Sequence, residues 1–478
     1  MNGFDELKSL DVEILGDIQL RESKLGGTGV FANKHLNEGD VIMRIPKESV
    51  LSPKTCAAAN IISEFQNKLE PQDLLVACYL FEKSQGSESP WHQFIDIAEN
   101  ATQPDVFLLW TPEEQKMLKN TNLDVWQVPQ LEKFQETYNE TLPLFEKLTI
   151  VPSFKIPTFD EYLRTSLIIS SRAFDVDNYH KIALVPGACF FNHSDREHVH
   201  FEATGDVCEI CGEIECDCIY SDSEDEEIEE IISDMEFEED EDEEEEGDDQ
   251  QLNEENDVAS VVDMDDADVD NDSSCDECDD DDDGDRYCEL RLISPVSKGS
   301  EIFNTYGQDP NGVLLNRYGF AIWNNKHDVV DFDKETFTLA QQFDKVKELE
   351  EWLQAQEDIA DTMDQDSVKE LDDSDSEFEN DQSGDSDEIA FLGLINDNND
   401  TEIPRASAGL IELADRFQVD LSVLIQALAD LRLKKYYFTE DSKELYAKSK
   451  KEVGRKQAAM VVVASEKNII ERYIKLAI

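Results

Sequence analysis

Two short stretches decide the fold of this chain: Val-Pro-Gly-Ala-Cys-Phe-Phe-Asn-His-Ser at residues 185–194, and Gly-Ser-Glu-Ile-Phe-Asn-Thr-Tyr-Gly at residues 299–307. Each joins an apolar run to polar groups that an ordinary core strand would not tolerate. A third stretch, Gly-Gly-Thr-Gly-Val-Phe-Ala at residues 26–32, lies near the start of the chain.

The glycine-rich stretch places Gly27 and Gly29 between strand-like segments. Glycine lets the backbone approach a ligand with no side chain in between. A tight hairpin without a ligand is the alternative. The stretch lacks the third glycine and the following helix of a dinucleotide-binding motif, so NAD is not expected.

Taken in this order, the three stretches resemble the signature of SET-domain protein lysine methyltransferases: a glycine turn, then Asn-His-Ser, then a closing Tyr-Gly. The resemblance implies an α+β fold of short β-sheets with a pseudoknot, which departs from the usual unthreaded connections. The helical stretch at about 53–152 and the C-terminal helices resemble the Rubisco-methyltransferase/SETD-like subgroup. Within that subgroup, the N-terminal half with its acidic insert most resembles the fungal ribosomal-protein lysine methyltransferases. That subgroup has a helical insertion and a C-terminal all-α substrate-binding domain.

Composition and periodicity, read with this resemblance, predict seven segments. They are residues 1–52 as the N-terminal part of the SET domain, 53–160 as the helical insertion, 161–218 as the SET core with Asn-His-Ser, 219–285 as an acidic disordered insert, 286–335 as the SET core with Tyr-Gly, 336–402 as a helix and acidic linker, and 403–478 as a helical substrate-binding domain. Within them, the patterns predict an amphipathic helix over 73–81, a strand over 319–323, and long helices over 406–433 and 442–478.

The formal net charge is −71, and most of it comes from two acidic runs. Residues 219–285 contain 37 Asp and Glu and no Lys or Arg, and residues 357–402 contain 18 acidic residues and one Lys. Such runs repel themselves and bury little apolar surface, so we predict that both are disordered. A polyanionic surface favours basic partners and disfavours nucleic acid and anionic lipid. The alternative is that the runs only solvate the protein.

Three features concern the compartment. No apolar run reaches the roughly 18 residues of a membrane helix, and the N-terminus lacks the pattern of a secretory signal. The ten cysteines then indicate a reducing compartment. We expect a monomer in the nucleus or cytoplasm that binds neither membrane nor nucleic acid directly.

The resemblance assigns roles to individual residues. Tyr306 would be catalytic, with its hydroxyl facing the transferring methyl group, and Tyr318 would line the lysine channel. The alternatives are a core tyrosine at 306 and a helix-surface arginine at 172. S-adenosylmethionine would be held by Gly27, Gly29, Arg172, Asn192, His193, Tyr306 and Phe320.

The chemistry of lysine methylation defines what such a site must do. A free lysine has a pKa of about 10.4, so it arrives as a cation and must lose a proton before it attacks. A narrow aromatic channel favours the neutral amine by desolvation. Tyrosine has a pKa near 10, so Tyr306 suits orientation and electrostatic support better than general-base catalysis.

Cysteines flank the first acidic run. Cys208, Cys211, Cys275 and Cys278 form two C-x-x-C pairs that would give a zinc site closing the base of the insert. A more local set competes for the same ion, in which Cys216 and Cys218 join Cys208 and Cys211. Free thiols are the alternative that we favour, because the two pairs are far apart in sequence.

The sequence therefore predicts an enzyme that methylates lysine side chains of a basic non-histone protein, such as a ribosomal protein. The alternative is a catalytically silent SET-like module or acidic chaperone that holds basic proteins. Asn192, His193 and Tyr306 together favour the enzyme, since a retired site has no reason to keep all three.

Overall fold

The computed structural model describes residues 4–25, 27–100, 105–125, 131–214, 216, 218, 286–355, 391–396 and 403–477. The predicted acidic insert at 219–285 and most of the second acidic run lie outside the described residues. Within the described residues, no helix combines the length and the apolar character needed to cross a bilayer.

Thirteen strands are described, most of them short. They are β1 (Glu13–Ile14), β2 (Ile18–Glu22), β3 (Thr28–Ala32), β4 (Val41–Pro46), β5 (Ala173–Asp177), β6 (Lys181–Leu184), β7 (Asn192–His193), β8 (Val199–Glu202), β9 (Tyr287–Leu292), β10 (Glu301–Asn304), β11 (Val329–Asp331), β12 (Gly393–Ile395) and β13 (Arg405–Ala406).

Helices fill the stretches between these strands. They are α1 (Ala59–Ile62), α2 (Pro71–Gln85), α3 (His92–Asn100), α4 (Pro112–Gln115), α5 (Asn122–Val125), α6 (Leu131–Leu148), α7 (Phe159–Ser170), α8 (Asn311–Tyr318), α9 (Asp333–Gln342), α10 (Ala408–Phe417), α11 (Leu421–Leu433), α12 (Ser442–Ser449) and α13 (Gly454–Ala477), with a further helical stretch at 346–355. Short 3₁₀ turns lie at Asp5–Leu10, Lys47–Ser49, Ser63–Phe65, Gly86–Glu88, Phe107–Leu109, Lys116–Leu118 and Ala188–Phe190.

Two four-stranded sheets form the strand core, in the orders β1-β4-β9-β8 and β2-β3-β10-β7. Strand β10 is antiparallel to β3 and parallel to β7, with Phe303 opposite Asn192 and Asn304 opposite His193. The α+β class predicted from the sequence is confirmed. The parallel pair also joins the Asn-His stretch to the strand that leads into Tyr-Gly, the contact that the predicted pseudoknot requires.

The first acidic run is bracketed by two paired strands. Strand β8 precedes it and β9 follows it, and the two are antiparallel neighbours with Val199 opposite Leu292 and Glu202 opposite Glu289. The chain therefore leaves for the insert and returns from it at neighbouring strands of one sheet. Loop-closure entropy grows slowly with length, so a long insert here is compatible with the sheet.

Helix α2 lies at the centre of the first hydrophobic core. It packs against α3, α6, α7 and β6, and its residues 74–82 are all buried. The amphipathic pattern predicted over 73–81 is therefore wrong, because this helix is covered on every side. A helix that is apolar all round is typical of a central core element.

Helix starts follow the capping rules. Thr111 and Thr158 each accept a hydrogen bond from the backbone N–H three residues later, and Glu114 and Glu161 reach back to complete the capping boxes. Each box satisfies two backbone donors that the first helical turn would leave unpaired.

The C-terminal region is mainly helical, as predicted, and it packs against the rest of the chain. Its helices α10, α11 and α13 share one hydrophobic core with Trp110 and Leu118 of the helical insertion and Leu315 of α8. The apolar faces of these helices are thus largely covered within the chain. The boundary predicted at residue 403 does not coincide with a break in this core.

A small sheet of order β11-β12-β13 corrects a second expectation. Strand β12 lies inside the run 357–402 that we predicted to be disordered, and its Leu394 is fully buried. The prediction is wrong for residues 391–396 because the apolar sequence Phe-Leu-Gly-Leu-Ile interrupts the acidic residues there. Central β12 pairs with strands from both sides of the run.

The predicted strand at 319–323 does not form. Gly319 has a φ of +81° and ends α8, donating its N–H to the carbonyls of Leu314 and Leu315. The side chain of Asn311 then accepts from the N–H of Ile322 at 2.6 Å and donates to its carbonyl at 2.7 Å. A side chain thus satisfies backbone groups that a strand would have paired.

The two long helices predicted at the C-terminus are each divided. Gln418 has a φ of +55° and ends α10, and the side chain of Asp420 caps α11. Asp441 caps α12, and Gly454 at a φ of +62° begins α13. Local capping therefore overrode the continuous apolar pattern.

Arg432 holds this second core together. Its side chain is 1% exposed, and its Nε lies 3.0 Å from Oε2 of Glu335. Its two other nitrogens donate hydrogen bonds to the carbonyls of Asn120 and Asp331. Its partners thus come from α9, from the helical insertion and from β11. A buried charge of this kind is tolerated only when its donors are satisfied.

Candidate active site

Asn192 joins the three stretches on which the sequence analysis depends. Its side-chain nitrogen donates to the carbonyl of Thr28 at 3.2 Å and to Oε1 of Glu301 at 2.7 Å. The parallel pairing of β7 with β10 brings these groups together. Residues more than 100 positions apart in sequence therefore meet around one amide.

The glycine turn has two distinct positions. A Cβ at Gly29 would collide with the carboxyl of Glu301 and lie 2.9 Å from the side-chain nitrogen of Asn192, so glycine is required there. Gly27 has a φ of +66°, and a Cβ built on it would meet nothing within 4 Å. Gly29 therefore serves close packing, while Gly27 borders open space that a ligand can use.

Glu301 is a site residue that the sequence analysis missed. Besides holding Asn192, it accepts a hydrogen bond from the hydroxyl of Ser23 at 2.9 Å. In the sequence it is an acidic residue next to the apolar pair at 302–303, a pattern that does not reveal its partner. Its carboxyl fixes which way the amide of Asn192 points.

His193 and Tyr306 are coupled through the backbone. Nδ1 of His193 accepts the N–H of Tyr306 at 3.0 Å, and the Tyr306 hydroxyl donates to the carbonyl of Phe191 at 3.0 Å. An accepting Nδ1 places the proton of a neutral imidazole on Nε2. Burial lowers the pKa of His193, which favours this neutral form at neutral pH.

Four rings form an aromatic cluster. The centroid of Tyr306 lies 4.6 Å from that of Tyr318, 5.3 Å from that of His193 and 6.3 Å from that of Phe320. Phe320 lies 5.8 Å from His193 and 6.1 Å from Tyr318, so the cluster is continuous. The structure thus brings together four predicted site residues from both sides of the acidic insert.

Arg172 points toward this cluster and not outward from the helix that precedes it. It follows the end of α7, and its Nη1 donates to the carbonyl of Cys189 at 3.3 Å. Its Nε is buried and has no hydrogen-bond partner among the described residues. An unsatisfied buried donor is costly and marks a position where a ligand group is expected.

Burial dominates the acid–base behaviour of Tyr306. It raises the pKa of the Tyr306 hydroxyl well above its ordinary value, and the nearby charge of Arg172 only partly opposes this effect. Burial also raises the pKa of Tyr318. Both hydroxyls therefore stay protonated at neutral pH and act as hydrogen-bonding groups, not as bases.

The predicted cysteines divide into two groups. The sulfur atoms of Cys208, Cys211, Cys216 and Cys218 all lie within 4.8 Å of one another. Cys275 and Cys278, the second half of the paired C-x-x-C arrangement, lie outside the described residues. The structure therefore brings together the local set that the sequence analysis gave as the competitor.

Comparison with known families identifies the domain. Residues 27–234 match the SET domain family. Solved structures give a consistent result across nearly the whole chain. A structure of Rubisco LSMT bound to AdoMet has a TM-score of 0.53 and 16% identity, covering 99% of this chain and 90% of that one. A second, of the SET domain of LSMT bound to lysine and AdoHcy, has a TM-score of 0.53 and 15% identity, covering 99% and 89%.

Curated relatives are somewhat more similar in sequence, but each is covered only in part. Ribosomal lysine N-methyltransferase 3 of Saccharomyces cerevisiae is 26% identical over 361 residues, which is 70% of this chain and 64% of the yeast protein. N-lysine methyltransferase SETD6 of Mus musculus is 21% identical over 332 residues, which is 66% of this chain and 53% of the mouse protein. The chain thus spans less than two thirds of either relative. Residues 27–234 therefore match a SET domain, and the chain shares its fold with Rubisco LSMT.

Proposed function

We propose that this chain is an S-adenosylmethionine-dependent protein lysine N-methyltransferase. The observation that carries the proposal is the joining of Asn192, His193 and Tyr306 in one hydrogen-bonded site. These residues come from opposite sides of the acidic insert, and a chain without a ligand to bind would gain nothing from assembling them.

The residues around the site suit the chemical groups of S-adenosylmethionine. The unpartnered Nε of Arg172 offers a donor to a carboxylate. Glu301 holds the nitrogen of the Asn192 amide, which leaves the amide oxygen to accept from an ammonium group. The faces of His193 and Phe320 suit the flat adenine ring.

When bound, S-adenosylmethionine supplies a methyl group on a positively charged sulfur, and a neutral lysine amine can accept that methyl group as the sulfur leaves as a neutral thioether. The chain's own residues prepare the amine. Tyr306, Tyr318 and Phe320 present aromatic surface that excludes water and disfavours the charged form of a lysine. The Tyr306 hydroxyl donates its hydrogen to the carbonyl of Phe191, so the lone pairs of the hydroxyl oxygen are free to orient the amine.

Transfer of labelled methyl groups tests the proposal directly. Purified full-length protein should methylate lysine in a whole-cell or ribosomal protein fraction when supplied with labelled S-adenosylmethionine. The silent-module alternative predicts binding of basic proteins with no transfer. Well-folded protein that neither binds S-adenosylmethionine by calorimetry nor transfers label would refute the enzyme.

Replacing Glu301 by Ala should weaken S-adenosylmethionine binding about tenfold, or about 1.4 kcal/mol. The reason is that Asn192 loses the acceptor that orients its amide, and the hydroxyl of Ser23 loses its partner. Isothermal titration calorimetry measures the effect. Glu301→Gln should recover part of the affinity, since its amide oxygen still accepts one hydrogen bond.

Glu202→Ala is the matched control. Glu202 pairs with Arg291 on the other four-stranded sheet, and no described hydrogen bond links it to the site. The affinity of the Glu202→Ala protein for S-adenosylmethionine should stay within about twofold of that of the wild type. Equal affinities of the wild-type and Glu301→Ala proteins for S-adenosylmethionine would show that Glu301 has no role in binding it.

We further propose that the substrate is a basic protein, for which a ribosomal protein is the leading candidate. The support is the name of the yeast relative, together with 37 acidic and no basic residues at 219–285. Polyanionic segments accelerate encounters with cationic partners by electrostatic steering. A reducing compartment, the nucleus or cytoplasm, is consistent with the described cysteines, none of which forms a disulfide.

Replacing residues 219–285 with a short Gly/Ser turn should leave a folded protein that binds S-adenosylmethionine. Capture of a basic protein substrate should become about tenfold slower at low salt and little different at high salt, because salt screens long-range attraction. Stopped-flow association across a salt series measures this. The matched control keeps the length of the insert and changes Asp and Glu to Asn and Gln, and it should behave like the deletion. A salt dependence that is the same in all three proteins would show that the charge only solvates.

A further inference from the structure

We propose that Cys208, Cys211, Cys216 and Cys218 bind one zinc ion as a tetrathiolate site, at the point where the chain leaves β8 for the acidic insert. All four sulfur atoms lie within 4.8 Å of one another. Tetrahedral coordination at about 2.3 Å from zinc separates sulfur atoms by about 3.8 Å. Only small side-chain adjustments therefore separate the observed cluster from a complete ligand set.

The backbone around the first two cysteines has the form of a tight ligand-presenting turn. The N–H of Gly212 donates to the carbonyl of Cys208 at 2.8 Å, and the N–H of Cys208 donates to the carbonyl of Glu213 at 2.9 Å. Gly212 has a φ of +82°, which reverses the chain directly after Cys211. The N–H of Ile210 points at the sulfur of Cys208 at 3.4 Å, a contact that supports a metal-bound thiolate.

This turn is anchored to the body of the protein. Lys47 donates to the carbonyl of Thr204 at 2.8 Å, and the N–H of Asn178 donates to the carbonyl of Gly205 at 3.0 Å. Glu209, between the first two cysteines, pairs with Lys181 at 2.7 Å, and its carbonyl accepts from Lys54 at 3.2 Å. A turn fixed in this way holds its sulfur atoms ready for a metal before the metal arrives.

The chemistry of the ligands selects the metal. Four thiolates in tetrahedral arrangement favour zinc over the hard cations that carboxylates prefer. In a reducing compartment, closely spaced cysteines are more often metal ligands than disulfides. The site closes a loop of eleven residues, 208–218, and so pins the start of the insert beside the sheet that β8 and β9 share.

Metal analysis of the full-length protein tests the proposal without reference to methyl transfer. Protein purified under reducing conditions should contain one zinc per chain by mass spectrometry of the metal. Exchange with Co²⁺ should give the intense thiolate-to-metal absorption of a four-sulfur site. Wild-type protein that takes up no zinc or Co²⁺ after incubation with either ion under reductant would overturn the proposal.

Two matched double variants identify the ligands. Cys211→Ser/Cys216→Ser should lose the bound metal, whereas Cys275→Ser/Cys278→Ser should retain one zinc per chain. Loss of metal from the second variant, or its retention in the first, would overturn the assigned ligand set. The zinc content and the Co²⁺ spectrum are measured on the wild-type protein, so they test the site even if a variant fails to fold.

Discussion

Tyr306→Phe should reduce the rate of methyl transfer about 100-fold and leave the affinity for S-adenosylmethionine within about twofold. A positioned hydroxyl that acts on the reacting group contributes about 3 kcal/mol to the transition state, which corresponds to this factor. Tyr306 meets the requirement because the carbonyl of Phe191 fixes its hydroxyl at 3.0 Å, at the centre of the aromatic cluster. The loss should appear in kcat more than in binding.

The pH dependence of methyl transfer by the wild-type protein gives a second readout of the same residue. Burial raises the pKa of the Tyr306 hydroxyl, so its proton stays on throughout the neutral range. An increase of activity with pH near neutrality must therefore report on another group, such as the substrate lysine losing its proton. An inflection that disappears specifically in Tyr306→Phe would instead make Tyr306 a base.

Tyr318→Phe is the matched control for Tyr306→Phe. The two ring centroids lie 4.6 Å apart, but among the described residues the Tyr318 hydroxyl makes only a long hydrogen bond of 3.4 Å, to the carbonyl of Tyr306. Its removal should change the rate by no more than about fivefold. Initial rates and calorimetry on both variants separate the roles. Equal, small effects for both would return Tyr306 to the role of a core aromatic residue.

Arg432→Ala should lower the free energy of unfolding by about 3–5 kcal/mol, because the buried carboxylate of Glu335 loses its buried partner. Glu335, 1% exposed, would keep only Lys435, at 3.0 Å. The carbonyls of Asn120 and Asp331 would also lose their donor. Equilibrium denaturation in urea measures the change.

Arg416→Ala is the control for stability. Arg416 lies on a neighbouring helix and pairs with Glu412 one turn away, with both side chains more than 40% exposed. An exposed pair of this kind contributes little, so the loss should stay below about 0.5 kcal/mol. Similar losses for the two variants would contradict a central role for Arg432 in the second core.

The sequence was most informative where chemistry restricts the choice of residue. The prediction that one site contains Asn192, His193 and Tyr306 came from polar groups that an ordinary core strand would not tolerate. In the structure these residues do lie together. Glu301 was missed although it stands in a quoted stretch. Its role depends on a contact with Asn192 across 109 positions of sequence, and local pattern carries no trace of such a pairing.

The missed parts of the fold have the same origin. Strand β12 looked like part of an acidic linker because it lies inside the second acidic run. It is a strand because it pairs with β11, before the run, and with β13, after it. Likewise, nothing local shows that Trp110 packs in the same core as the C-terminal helices. The segment 319–323 failed for the opposite reason, since one side chain, Asn311, took over its backbone hydrogen bonds.

The sheet order has a consequence for synthesis on the ribosome. In one sheet β9 lies between β4 and β8, and in the other β10 lies between β3 and β7. Both of these central strands follow the acidic insert in the chain. Translation of residues 203–286 takes on the order of 10 s at the usual rates of elongation. During that interval the nascent chain carries four unpaired strand edges, which are prone to associate with other chains. The emerging polyanion repels neighbouring chains over this same interval, so we expect it to act as a solubilising tag within the chain before the sheets are complete.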